Sequence, residues 1–177
     1  MNDAPLSPYA VSTIAAENQC RVFFNTYGLQ TVILRAFNGY GPFQETSGIY
    51  APVCGKFLAT LLDGKPPVVS GDGKQSRDFV HVSDVIEAVK SACIAPKAEG
   101  ELFNIGTGSR ITVNGLINMI NGILGKEIQP KYEDARPGDI RHSLADCTKA
   151  QEMLGYRPRI SIMDGLQSTI EWYRKHR

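Results

Sequence analysis

Apolar side chains recur along the chain with two different periods, and the switches between them mark out helices and short strands. Val11, Ile14, Ala15, Val22 and Tyr27 fall on one approximately helical stripe that ends at Gly28. Ser7 suits the N-cap of that helix and Pro8 its first turn. Thr31-Val32-Ile33-Leu34 is a continuous β-prone apolar run, the pattern of a strand covered on both faces in a parallel sheet. Residues Phe37 to Gly48 then read as a Gly-rich loop beyond that strand's carboxyl end, where open α/β sheets hold ligands.

A helix from about Tyr50 to Leu62 follows, then a short strand near Val68-Val69 and a G-D-G turn leading into Asp78-Phe79-Val80-His81-Val82. Ser83 or Asp84 is the expected cap of a helix running to about Ala95, before Pro96. Leu102-Phe103-Asn104-Ile105 reads as another buried strand, parallel to the Leu34 segment. Thr112 caps a helix whose apolar face is Val113, Leu116, Ile117, Ile120 and Leu124, closed by Gly125. Ser161 caps a last helix with Leu166, Ile170 and Tyr173 on its apolar face. Helices alternating with short strands predict an α/β class, although two or three strands are few for a free-standing sheet. No repeat, low-complexity stretch or linker divides the chain, so residues 1–177 are expected to form a single α/β domain.

Composition narrows the chemistry. The 177 residues carry 19 Lys+Arg against 18 Asp+Glu, a net charge of +1. That removes the electrostatic argument for nucleic acid or an anionic membrane as partner, and leaves local arginines to hold any anionic ligand. Cys20, Cys54, Cys93 and Cys147 are far apart, without the Cys/His spacing of a zinc site, and read as scattered buried thiols in a reducing compartment. With no signal-peptide pattern and no apolar run of about 18 residues, no metal, no membrane and a cytoplasmic location are expected.

A dinucleotide fold needs G-x-G-x-x-G between a strand and a helix, with an acidic residue about 20 positions on. Gly106-Thr107-Gly108 follows a strand, but Ile111 stands at the third glycine position, and Gly71-Asp72-Gly73 precedes a strand. No cofactor-binding residues are therefore assigned. Tyr9 sits in the first turn of the first helix, yet a phenol with a pKa near 10 is a poor base unless a positive charge stabilises the phenolate. A lysine one helical turn on would supply that charge, and Thr13 stands there instead.

Six ordered stretches carry a resemblance: S-P-Y-A-V-S-T (7 to 13), L-R-A-F-N-G-Y-G-P (34 to 42), G-D-G-K-Q-S-R-D-F-V-H-V-S-D-V (71 to 85), F-N-I-G-T-G (103 to 108), R-P-G-D-I-R-H-S-L-A-D (136 to 146) and L-G-Y-R-P (154 to 158). Together they resemble the carboxy-terminal half of the NAD-dependent epimerase/dehydratase family, the extended short-chain dehydrogenases, and most of all its UDP-glucose 4-epimerase branch. The resemblance implies the substrate-binding portion of such an enzyme, with the amino-terminal Rossmann half missing. It implies NAD as the family's cofactor, although none is expected for the isolated chain, and a UDP-sugar as ligand. Tyr9 matches the catalytic base, vestigial here because Thr13 occupies the lysine position. Asn38, Arg77 and Arg136 match residues that contact the substrate's diphosphate or sugar.

Each has a plainer alternative. Tyr9 is otherwise an aromatic that packs or faces water, Asn38 an Asx-type turn residue, and the arginines surface partners of Asp72, Asp78 or Asp139. His81 and His142 read as structural, while Asp139 and Asp146 orient the Arg136 loop and cap the helix after it. Three functions stay open: one piece of a split 4-epimerase completed by a separate NAD-binding subunit, a non-catalytic UDP-sugar-binding or self-associating module, or an inactive shortened chain. Helix faces such as that of Val11, Ile14 and Val22 would lack a partner without the missing sheet, so a homo-oligomer is expected.

Overall fold

Ser7 opens the first helix as its position predicts. In a computed structural model describing residues 5, 7–48, 51–136 and 138–176, the Ala10 N–H donates to Ser7 Oγ at 3.1 Å. The helix α1 (Pro8–Tyr27) then ends at Gly28, whose φ of 66° is the left-handed conformation glycine adopts without strain. The elements that follow are β1 (Ile33–Ala36), β2 (Asn38–Tyr40), α2 (Val53–Leu62), β3 (Val68–Ser70), β4 (Ser76–Arg77) and β5 (Phe79–His81). After these come α3 (Val82–Ile94), β6 (Leu102–Ile105), β7 (Ile111–Thr112), α4 (Val113–Leu124), β8 (Lys131–Glu133), α5 (Thr148–Leu154) and α6 (Ile162–Lys175).

The class is α/β, and the strands pair two by two. β1 runs parallel to β6 with Leu34 opposite Phe103, β2 parallel to β5, and β3 parallel to β8, while β4 and β7 are antiparallel. A two-stranded ribbon is marginal by itself, so the helices carry the packing. One core joins α2, α4 and α6 through Leu58, Leu61, Leu116, Ile117, Ile120, Leu166 and Ile170. A second joins α3, β6 and α5 through Ala88, Phe103, Ile105, Ala150 and Leu154.

Several expectations are corrected. His81, and neither Ser83 nor Asp84, caps α3: its Nδ1 accepts from the Ser83 N–H at 3.3 Å. Asp84 is instead buried and accepts the Arg159 and Ile160 N–H groups. The loop expected from Phe37 opens with a strand, because Asn38 to Tyr40 continue the chain into pairing with β5. The strand read as covered on both faces buries Ile33 and leaves Ala36 exposed. Among the cysteines Cys93 is exposed and Cys20 half-buried. The expected start of α2 at Tyr50 lies outside the described residues.

Asp78 joins these pieces. It is completely buried between β4 and β5, and its carboxylate accepts from Thr107 N at 2.8 Å, Thr107 Oγ1 at 2.7 Å, Gly108 N at 2.9 Å and Ala145 N at 3.2 Å. A buried carboxylate is tolerated when several donors replace its water. Gly106 allows that approach, since a Cβ there would stand 2.5 Å from Ala145 Cβ and 2.8 Å from Asp78 Oδ2. Asp78→Asn would turn an NH2 group towards two N–H donors, so we expect a loss of about 3 kcal/mol in urea unfolding. Stability equal to wild type would show that the cluster is dispensable.

Candidate functional site

Asn38, Arg77 and Arg136 come from three distant segments and line one cavity of about 440 Å³. Asn38 opens β2, with its backbone N–H and Nδ2 both donating to the Asp78 carbonyl at 3.0 and 3.3 Å. That geometry belongs to a strand, not to an Asx turn. Arg77 ends β4 with its side chain 15% exposed. Its Nη1 donates to the Ser76 carbonyl at 3.0 Å and its Nη2 to Asp139 Oδ1 at 2.6 Å. The ion pair weighed as Arg77's alternative therefore exists, and it sits in the cavity wall. Arg136 is exposed and reaches the same cavity from the segment before α5.

That segment is pinned to β4. Ser76 N donates to the Arg141 carbonyl at 2.9 Å, Ser143 N donates to the Ser76 carbonyl at 3.0 Å, and Ser76 Oγ meets His142 Nδ1 at 2.8 Å. His142 is thus an anchor. Asp146 accepts from Thr148 N at 3.0 Å and opens α5, while the Asp139 N–H closes a turn on the Arg136 carbonyl at 3.2 Å. The N-cap of α5 is Cys147, without a side-chain cap bond, so Asp146 supports the helix from one residue further back instead of capping it, and Asp139 holds Arg77. Arg141 takes Asp72 in a two-pronged pair, and that guanidinium holds the Asp72 carboxyl well below its usual range.

Sequence reading missed Lys56, which lines the cavity from α2 beside Phe57, with Val69 and Val113 as apolar wall and Gln75 as a further polar group. Its position three residues after Val53, on one face of a helix that follows the Gly-rich loop, was the available signal.

Tyr9 lies elsewhere. It is 73% exposed and lines a groove of about 1040 Å³ between α1 and the stretch from Val32 to Asn38. Thr13 lines the same groove, with its hydroxyl donated to the Ala10 carbonyl at 2.9 Å. Asn38 and Gly138 line both hollows, so the two adjoin at that point. Burial pushes the Tyr40 and Tyr156 phenols above their usual value, which removes both as alternative bases. The G-T-G turn does not fit a pyrophosphate, because its Thr107 and Gly108 N–H groups are held by Asp78. Among the described residues no cluster of three or more His, Cys, Asp or Glu could hold a metal ion, and no helix is long and apolar enough to cross a membrane.

Residues 2–169 match the family model described as GDP-mannose 4,6 dehydratase. The chain belongs to that family. It is 36% identical to a UDP-glucose 4-epimerase from Mycolicibacterium smegmatis over 96% of its own length and 54% of the relative's. The crystal structure of UDP-glucose 4-epimerase with UDP-glucose from Thermotoga maritima superposes with a TM-score of 0.92 at 39% identity, covering 98% of this chain and 55% of that one. UDP-glucuronic acid 4-epimerase from Bacillus cereus, in complex with UDP-glucuronic acid and NAD, gives a TM-score of 0.91 at 31% identity, with coverages of 98% and 55%. The chain thus spans about half the length of its relatives, consistent with the resemblance to one half of an extended short-chain dehydrogenase.

His81 supplies a pH-dependent test of this framework. It is 6% exposed and stands edge-on to Tyr40 at 5.3 Å. Burial holds its pKa below the ordinary 6.5, against an opposing pull from Asp84. The lowered value favours the neutral ring in the folded state, so below about 6.5 the unfolded chain binds a proton that the folded chain refuses. Stability should be flat above that pH and fall as pH drops through it, levelling once folded His81 is protonated too. Thermal melts across this range should show the slope, and His81→Asn, which keeps a capping acceptor, should flatten it.

Proposed function

We propose that these residues form the nucleotide-sugar-binding half of a UDP-sugar 4-epimerase-like protein, and that alone they hold the nucleotide sugar without epimerising it. The observation that supports this is the convergence of Asn38, Arg77 and Arg136 on one cavity. Guanidinium forks bind phosphate oxygens in pairs and stay charged at every physiological pH. Phe57, Val69 and Val113 offer an apolar end for a base, and Asn38 opens the other end towards Tyr9. Relatives solved with UDP-glucose and with UDP-glucuronic acid support the ligand class.

Tyr9 in this reading descends from the catalytic base. With Thr13 one turn on, no ammonium stabilises its phenolate, and the redox step also needs a nicotinamide held against the sugar. Calorimetry with UDP or UDP-glucose should show binding, and Arg77→Ala and Arg136→Ala should each lose about 1.5 to 3 kcal/mol. Unchanged affinity would remove the phosphate assignment. Mixing the chain with NAD and UDP-glucose should give no epimerisation, and turnover would overturn its inactivity.

The open flank favours a second reading, in which a separate NAD-binding chain completes the cleft. α1 has no buried residue, and Val11, Val22 and Tyr27 are 53%, 54% and 71% exposed. Without such a partner the same face is expected to join copies of this chain. Sedimentation should then show a dimer or larger assembly, and a monomer at high concentration would count against this use of the face.

A further inference from the structure

We propose that Gln75 reads the base of the nucleotide, its Oε1 accepting the ring N–H that lies between the two carbonyls of uracil or thymine. The inference rests on reading the cavity of about 440 Å³ as the nucleotide-sugar site. Gln75 lines that cavity just ahead of β4 and is 8% exposed. Its backbone carbonyl takes the Val113 N–H at 3.0 Å, and its Nε2 donates to the Ser70 carbonyl at 2.8 Å. The residue is thereby fixed between β3 and the start of α4. A carbonyl only accepts, so the nitrogen of the amide must face Ser70 and the oxygen must turn away from it. Oε1 is buried there without a hydrogen-bond partner among the described residues.

A buried acceptor without a donor is costly and rare in folded proteins. Of the parts of a nucleotide sugar, the diphosphate has no donor to offer at neutral pH, which leaves the base and the hydroxyl groups. The neighbours of Gln75 decide between them. Val69 precedes one of its anchors and Val113 is the other, and with Phe57 they make the buried apolar wall of the cavity. A flat ring seats against such a wall better than a hydroxylated sugar does. An imide N–H brings Oε1 the donor it lacks. Cytosine presents a ring nitrogen acceptor at the same place, so two acceptors would face each other out of reach of water, and the wrong base is turned away by that mismatch.

The test measures UDP, CDP and N3-methyl-UDP by calorimetry on wild type and Gln75→Met, with thermal melts to show that the variant folds. Wild type should bind UDP about 10-fold more tightly than CDP or N3-methyl-UDP. Gln75→Met keeps the length of the side chain without its acceptor, and it should weaken UDP about 10-fold and bring UDP and CDP close to equal affinity. A preference for UDP over CDP that Gln75→Met leaves intact overturns the inference, even where both affinities fall, and leaves the nucleotide site standing. If the variant does not fold, wild type alone decides: N3-methyl-UDP bound as tightly as UDP overturns the inference, and the expected loss supports it. A wild-type chain that binds neither UDP nor CDP removes the reading of the cavity and this inference with it.

Discussion

The carboxylate of Asp78 is the contact on which the rest of the molecule depends. One buried anion takes donors from the turn after β6 and from the stretch before α5, and its own backbone carbonyl takes both donors of Asn38. Segments more than 60 residues apart in sequence meet on one side chain. Its energetic weight comes from asymmetry: each hydrogen bond nets about 1 kcal/mol, but losing the acceptor leaves several buried N–H groups unsatisfied at once.

That arrangement explains how strands of two to four residues, paired only in twos, hold the cavity wall in place. Arg77 precedes Asp78 and Asn38 hangs from its carbonyl. The segment bearing Arg136 and Asp139 is tied to Ser76, one residue further back. Four consecutive residues, Gln75 to Asp78, therefore place polar groups of the cavity and their supports. Cavity residues that depend on one short stretch keep their mutual distances even when the helices around them shift.

The helices were legible in the sequence where caps and period agreed. Ser7, Thr112 and Ser161 cap as read, and Leu166, Ile170 and Tyr173 are buried as read. The parallel pairing of the Leu34 and Phe103 segments was legible too, because both are short, largely apolar runs set between helices. β8 (Lys131–Glu133) was not, since all three residues are exposed and pairing with β3 alone makes it a strand. α5 was hidden by its shortness: seven residues leave an apolar face of only Ala150, Met153 and Leu154, behind an opening on Asp146 and Cys147. For the candidate site, motif matching brought Asn38, Arg77 and Arg136 to one place. Lys56 and the role of Asp78 were invisible, because a lone lysine or aspartate announces its neighbours only in three dimensions.

Binding and chemistry place different demands on the two hollows. Recognition of an anion needs charge held to within a few tenths of an ångström by rigid elements, and the cavity walls have such elements. A proton-transfer residue needs its own backbone fixed just as firmly. α1 touches the body through the Glu17–Arg35 fork at 2.5 Å, the Thr31 hydroxyl on the Cys20 carbonyl at 3.1 Å, and Phe24 against Gly100. Those contacts lie from residue 17 onward, and helices in proteins draw most of their stability from packing an apolar face. Tyr9 stands in the first turn, beyond all of them. The phenol stands 73% exposed at the edge of the groove beside α1. Covering that flank of the helix would bury more of the Tyr9 ring, but it would bring no cation to position 13.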